Sequence, residues 1–345
     1  MSHRAAKRQK LSPAQQSSGI PIIFTTGKHK ADVRMFVFDS EYHVYSGVLK
    51  MNAAFFEAML EPTGGIQPTS TSPLFKSDWH TTLDSDLGWV LSSDPSRKQE
   101  DLSGFKGDKT REEKAFQNVL SAIFSREYQI SDIDELHRMA TIADYYRALP
   151  ILSYTVSHSV YGHRGFIDSI ETDPLTLLLC SYKLRHKLLF REAFIRVLGP
   201  WTKPRYKALE KQHPKLFKLV HEAYKSVDNQ ISQLSRDMFV TSAFGKTRET
   251  GYREVHKIVR STPNCRDENN NFLWPVFVQE AASSFKGKSY FTEHGSSSGL
   301  LNKLRKNASI LNRKAKCGEG AFKDHFLCFQ LTDAELPWDI NEVDF

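Results

Sequence analysis

The residues from Ala31 to Leu60, ADVRMFVFDSEYHVYSGVLKMNAAFFEAML, constrain the fold most, because strand, turn and helix signals follow one another there without interruption. Val33, Met35 and Val37 alternate with Arg34, Phe36 and Phe38, residue types that favour a pleated, buried strand. Asp39 and Ser40 supply a turn. Glu41 to Tyr45 then reads as a returning strand, with Tyr42 and Val44 on one face and Glu41, His43 and Tyr45 on the other, so a hairpin is expected. Ser46 reads as the N-cap of a short helix, Gly47 to Met51. Asn52 reads as the N-cap of a second, Ala53 to Leu60, which brings Phe55, Phe56 and Met59 within one turn. Such a run suggests an interaction module and not an enzyme.

Past Leu60 the chain turns at Glu61-Pro62-Thr63-Gly64-Gly65, and a Thr/Ser/Pro-rich link leads to Leu74-Phe75. Trp79 to Leu83 and Gly88 to Leu91 flank Asp84-Ser85-Asp86 and predict a second hairpin, and the charged, Gly-rich Ser92 to Asp108 predicts a loop. Thr110 and Glu113 read as a capping box for a helix whose Phe116, Val119, Leu120, Ile123 and Phe124 recur at helical spacing. Tyr128-Gln129-Ile130 suits a short strand. Ser131 with Asp134 caps another helix, with a stripe of Ile133, Leu136, Met139, Ala140 and Ala143 ending near Tyr145-Tyr146-Arg147. Leu149 to Tyr161 continues as a helix.

This order resembles a BTB/POZ domain, of the kind abundant in filamentous fungi, over residues 21 to 162. Asp32-Val33 is similar to the family's acidic opening of its first strand, and His43-Val44-Tyr45 to its His-x-His strand end. Val48-Leu49 looks like the buried first-helix pair, Phe55-Phe56 like the Phe-Phe of the next helix, and Leu136, Ala140 and Tyr145 or Tyr146 like the later L-x-x-x-A-x-Y helix, with stretched spacing. The Trp-containing hairpin lies in an insertion, about 61 to 108, similar to fungal members. The resemblance implies a small sheet with helices, and association through the BTB surface. In many members it implies recruitment of a cullin-RING ubiquitin ligase as a substrate adaptor, and the alternative is a nuclear regulatory scaffold without a ligase. Interaction candidates are Asp32, His43, Tyr45, Ser46, Phe124 and Glu127. The family's cullin-binding members present a hydrophobic-x-acidic element; here Phe124-Ser125-Arg126-Glu127 has its acid one place late. Tyr45 replaces the second His, and Ser46 stands where a basic residue pairs with the strand-one aspartate in the zinc-finger-linked subgroup. A lone buried carboxylate at an interface costs several kcal/mol. Asp32 is therefore expected to be solvated or bonded to backbone amides, self-association to be weak, and the hairpin around Trp79 and Trp89 to cover part of that surface.

Residues 163 to 345 read as mainly helical. Asp173 caps and Pro174 opens a helix with Leu175, Leu178, Leu179 and Tyr182 on one face. Phe190, Phe194, Val197 and Leu198 extend the pattern to Gly199-Pro200. From Pro214, Phe217, Val220, Tyr224, Val227, Ile231, Leu234 and Met238 repeat by three and four, but the flanking positions offer few charge pairs for a coiled-coil dimer. Packing onto the chain's own helices is expected. Lys303, Arg305, Lys306, Arg313, Lys314 and Lys316 lack interleaved aromatic residues, so they read as a solvated helix face and not as nucleic-acid contact. Leu331 to Phe345 places Trp338 and Phe345 among Asp333, Glu335, Asp339, Glu342 and Asp344, resembling the Pro-Trp-Asp ending of related fungal proteins.

The formal net charge of +7 is unevenly distributed, since residues 1 to 30 hold six Lys or Arg and no acid, leaving +1 for the rest. Residues 1 to 20 read as a disordered basic tail in which Lys7, Arg8 and Lys10 resemble a nuclear-import signal. Cys180, Cys265, Cys317 and Cys328 are widely spaced, and no apolar signal core follows the basic start, so an intracellular protein of nucleus or cytoplasm is expected. The most apolar run, Phe272 to Val278, is far short of the about 20 residues that span a bilayer. Asn307-Ala308-Ser309 fits a glycosylation acceptor by pattern alone. Gly245-Lys246-Thr247 and Gly287-Lys288-Ser289 mimic a P-loop end, but Val240 and Ala282 replace its first glycine. Lys225 replaces the second zinc ligand after His221-Glu222. Cys317, His325 and Cys328, with Cys265, match no zinc spacing, and the cysteines read as buried or idle thiols. No catalytic, cofactor or metal residues are assigned, and the expected fold is α+β, with protein partners and no membrane.

Overall fold

The structure, a computed structural model, describes residues 19–61, 70–85, 88–97, 100–160, 163–244, 265–285, 296–342 and 345. The expected import residues Lys7, Arg8 and Lys10, and both Gly-Lys-Thr/Ser fragments, lie outside the described residues. The fold is α+β, and the chain divides into two units, 1–129 with 138–159 and 130–137 with 160–345.

The first unit is built on a five-stranded mixed sheet of order β1-β3-β2-β4-β5, comprising Ile22–Phe24, Val33–Val37, Ser40–Val44, Ser77–Asp84 and Gly88–Ser92 as β1 to β5. Val33, Met35 and Val37 are buried while Arg34 and Phe36 are half-buried, the alternation that their sequence carries. In the β2–β3 hairpin Val37 faces Ser40, so the turn residues are Phe38 and Asp39, one place before those expected. Phe38 holds a left-handed φ of 48°, uncommon for an aromatic residue. Its buried ring lies 5.2 Å from that of Trp89 and 4.9 Å from that of Phe105, and its N–H donates to Thr81 Oγ1 at 2.9 Å. Tertiary packing thus outweighs local turn preference.

The Trp-containing hairpin is part of the main sheet. β4 pairs in parallel with β2, setting Trp79 opposite Met35, and β5 returns antiparallel along it. Trp79 is 1% and Trp89 6% exposed, so both belong to the core of the sheet.

The helices are α1 (Ser46–Asn52), α2 (Ala54–Leu60), α3 (Lys109–Ile123), α4 (Ile133–Tyr145) and α5 (Leu149–Val160). Their caps differ from those expected. Tyr45 and Ala53 precede α1 and α2 without side-chain caps, and Asn52 donates instead to Val48 O and Ile123 O. Asp108, not Thr110, caps α3 by accepting from Arg111 N–H, which leaves Glu113 to accept from Asp39 N–H at 2.7 Å. At α4, Asp132 accepts from Glu135 N–H while Glu135 accepts from Ser131 N–H, a reciprocal arrangement that uses the side chains of Asp132 and Glu135. Tyr128 to Ile130 forms no strand.

Rings connect this core end to end. Phe124 meets Phe24 (5.5 Å), Phe24 meets Tyr42 (6.4 Å), Tyr42 meets Phe116 (5.5 Å), and Phe116 meets Tyr146 (6.2 Å). Tyr146 stacks on Phe56 at 5.1 Å, and Phe56 meets Trp79 edge-on at 5.6 Å. Phe55, Phe56, Leu120 and Phe124 therefore serve one core, although Phe55 and Phe124 are half-buried and Met59 is exposed.

The second unit contains α6 (Arg164–Thr172), α7 (Pro174–Lys183), α8 (Lys187–Val197), α9 (Leu209–Gln212), α10 (Pro214–Phe244), α11 (Trp274–Phe285) and α12 (Ser296–Leu304). Asp173 caps α7 with Pro174 in its first turn, as its sequence dictates, but the buried face is Pro174, Leu177, Leu178 and Ser181 and leaves Leu175, Leu179 and Tyr182 half-buried. The long stripe of α10 is covered by the chain itself: Val227, Ile231, Leu234 and Met238 share a core with Phe277 and Val278 of α11 and Leu301 and Leu304 of α12. Cys265 and Cys317 are buried in that core, Cys328 packs against it, and burial pushes the Cys328 thiol up to about 11. The basic run is not a helix face. Lys303 alone lies in α12, Arg305 donates to Gln279 Oε1 at 2.6 Å, and Lys316 pairs with Glu319. Among the described residues, no helix is long and apolar enough to cross a membrane.

Candidate functional site

The expected interaction residues fall into two places in the first unit. The first gathers Asp32, Ser46 and Tyr45. Asp32 accepts from Ser46 N–H and Ser46 Oγ–H, both at 2.7 Å, and pairs with Lys76 Nζ at 2.8 Å. Burial alone would raise this carboxyl, but the bonds from Lys76 and Ser46 outweigh it and hold it below its usual range. The hydroxyl that reads in sequence as a helix cap is thus committed to Asp32, and the base absent at position 46 comes from Lys76, just before β4. Nothing local in sequence announces this, because parallel pairing of β4 with β2 is what carries Lys76 to Asp32, where its N–H also donates to Asp32 O at 2.7 Å. Tyr45 stacks on His29 at 4.6 Å. A Cβ on Gly47 would fall 2.6 Å from the Tyr45 ring, so only glycine leaves that ring its place.

His43 lies on the outer face of β3, bonded to Glu41 at 2.8 Å and against the Phe75 ring at 4.6 Å. Beside it Arg34 makes two bonds to Asp78 at 3.0 and 2.8 Å, its guanidinium 5.0 Å and 5.3 Å from the Phe36 and Phe75 rings. Burial would raise the Asp78 carboxyl, yet Arg34, Ser70 and Thr71 together hold it far below its usual range.

The second place is a groove. The end of α3 closes in a Schellman motif: Arg126 N–H reaches Ser121 O at 2.8 Å, Ser125 N–H reaches Ala122 O at 3.1 Å, and Ser125 adopts φ 52°. This reverses the chain and lays Ser125 to Gln129 along α5. Between them is a cavity of about 630 Å³, lined by Ser125 to Gln129 and by Tyr154, Thr155, His158 and Ser159. Spacing of one and four residues puts these α5 side chains on one face, opposite the buried Leu152, Val156 and Val160. Thr155 gives its hydroxyl proton to Ile151 O at 3.0 Å, so Tyr128 O–H donates the 2.8 Å bond between Tyr128 and Thr155. Burial raises the Tyr128 phenol. The floor of the groove is fixed by these bonds and by Asn118 donating to Gln129 O, while Tyr154, 80% exposed, stands at its edge.

Within the loop the expected pair separates. Glu127 is exposed and lines the groove; Phe124 turns away against Phe24. Arg126 fixes that arrangement by donating to Ile23 O and Thr25 O and lying 4.6 Å over the Phe24 ring. The aromatic group that faces solvent is Tyr154, whose only sequence signal is a large apolar residue opposite a buried stripe.

Among the described residues no group of three or more His, Cys, Asp or Glu is placed to hold a metal ion. Compared with known proteins, the chain matches no family model, no curated protein and no solved structure.

Proposed function

We propose that this chain is a non-enzymatic protein–protein interaction protein of the BTB/POZ type, and that its groove between residues 125 to 129 and α5 receives a cullin, making it a substrate adaptor of a cullin-RING ubiquitin ligase. The observation that carries the reading is the groove, a preformed concavity with an exposed aromatic edge, an exposed carboxylate and a hydrogen-bonded floor, the anatomy of a recognition surface. The order of a β2–β3 hairpin, two short helices, a strand parallel to β2 and then α3 to α5 supports the BTB/POZ assignment. So does burial of Leu49 and Phe56 at the family's apolar positions.

One observation favours the second reading, a nuclear scaffold that associates without a ligase: Phe124 faces inward, so the hydrophobic part of the hydrophobic-x-acidic element is not offered to a partner. Weak self-association is proposed as well, because the Asp32 charge is met within the chain by Lys76 and Ser46 and needs no second copy. Quantitative affinity purification of the full chain beside its Tyr154→Ala and Glu127→Lys variants tests the proposal. A cullin recovered with the parent and lost from both variants supports the adaptor reading. Other partners lost without any cullin support the scaffold, and a partner set unchanged by both substitutions overturns the groove.

A further inference from the structure

In the second unit, residues 331 to 342, together with Phe345, lie as a strap across α7, α8 and the turn between them. Trp338 meets the fully buried Phe190 edge-on at 5.0 Å, with Tyr182 at 6.2 Å. On one side Asp333 sits between Lys187 (3.1 Å) and Arg191 (2.5 Å), and Arg191 Nε donates to Leu331 O at 2.8 Å. On the other, Glu342 pairs with Arg185 at 2.6 Å and the Phe345 ring lies 4.4 Å from the Arg185 guanidinium. Arg185 is aimed there by its own backbone, since it occupies the left-handed position, φ 48°, of the Schellman motif that ends α7. The strap is also preorganised: Thr332 and Glu335 form a capping box that shapes Asp333–Glu335 into a turn.

We propose that this face of Arg185, Lys187, Phe190 and Arg191 is a binding site for an acidic, aromatic peptide segment of a partner protein, and that the strap occupies it in competition. Charge complementarity selects the occupant. Three cations surround one aromatic floor, and the chain's own occupant answers them with two carboxylates around one indole. The weakness of the strap's hold makes competition feasible. Residues 332 to 335 and 339 to 342 are exposed, and ion pairs between solvent-facing groups are individually weak and screened by salt. The strap's apolar anchors are Leu331 and Leu336, both buried, and the half-buried Trp338 against Phe190, so a segment bringing its own apolar and aromatic residues and carboxylates replaces each contact with its like. This inference is independent of the groove in the first unit.

The test is fluorescence anisotropy with a labelled peptide of sequence Thr332 to Glu342, added to the full chain and to two strap-release variants, Trp338→Ala and the double variant Asp333→Lys with Glu342→Lys. Both release variants should bind roughly tenfold or more tightly than the parent. The added substitution Arg191→Glu should abolish that gain, and 0.5 M salt should reduce it. If Trp338→Ala fails to fold, the charge-reversed variant, which keeps the indole, answers alone. Equal binding by parent and release variants, or none by either, overturns the proposal. A concentration-dependent dimer of the parent that the release substitutions abolish overturns it too, since the occupant would then be the strap of a second copy.

Discussion

Phe56→Ala is the sharpest probe of the first unit. The ring is 1% exposed, stacks on Tyr146 at 5.1 Å, and meets Phe55 at 5.3 Å and Trp79 at 5.6 Å. Burial of a phenylalanine side chain stabilises by about 1.5–3 kcal/mol. Favourable ring pairs add about 0.5–1.5 kcal/mol each, and the cavity left behind adds its own cost, so about 3–5 kcal/mol is expected to be lost. Because the chain has two units, a single melting temperature is a poor measure, and amide hydrogen exchange is better. A loss of about 4 kcal/mol should speed exchange of β2 and β4 amides by about a thousandfold while leaving α10 and α11 near the parent rate. Phe55→Ala, at a half-buried ring, should cost clearly less, and Phe56→Leu gives a milder version should the alanine variant not fold. Unchanged protection in β2 and β4, or equal effects at positions 55 and 56, would refute the aromatic core as described.

Three further outcomes are expected. Ser46→Ala removes the hydroxyl's bond to the Asp32 carboxylate but keeps the backbone amide's, and should cost about 1–2 kcal/mol in denaturant unfolding; Lys76→Ala, at a 78% exposed ammonium, should cost under about 1 kcal/mol. Ser125→Gly relieves a left-handed serine and should stabilise the first unit by about 0.5–1 kcal/mol, read by the same unfolding curves. His186 and His325 are pushed down to about 4, the first by burial and the second by burial together with Arg205 and Arg196. The unfolded chain therefore takes up protons that the folded unit refuses, and second-unit stability should fall as pH drops from about 6.5 towards 4, by about 1.4 kcal/mol per pH unit per histidine. His186→Asn keeps an acceptor for Leu189 N–H and should flatten that dependence; an unchanged slope contradicts it.

What was legible in the chain was periodicity. The alternation in β2, the Phe116 to Ile123 stripe and the α10 stripe each depend on spacing alone; the first two are buried where spacing puts them, and so is α10 at Val220, Val227, Ile231, Leu234 and Met238, while Phe217 and Tyr224 are half-buried beside the buried Leu216 and Ala223. Caps were less legible, because Ser, Thr, Asp and Glu serve equally well as long-range partners. Ser46 bonds to Asp32 and Glu113 to Asp39, neither of which a local pattern can reveal. Helix ends were hidden for another reason: the left-handed positions after α3, α4 and α7 are Ser125, Arg147 and Arg185, where glycine would have signalled them. The Trp hairpin was visible as a hairpin but not as part of the main sheet, since parallel pairing with β2 leaves no short-range mark. The groove combines a loop and a helix separated by some twenty residues, and α5 reads from sequence only as a helix, so no local pattern marks Tyr154 or His158.

The most direct measurement of the central claim is calorimetric titration of the purified full chain with the purified N-terminal region of a cullin, repeated with Tyr154→Ala and with Glu127→Lys. Saturable binding of one cullin per chain by the parent, weakened roughly tenfold or more by each substitution, is the predicted result. Binding that ignores both substitutions, or no heat from the parent at concentrations of about 100 μM, would contradict the assignment of the groove to a cullin.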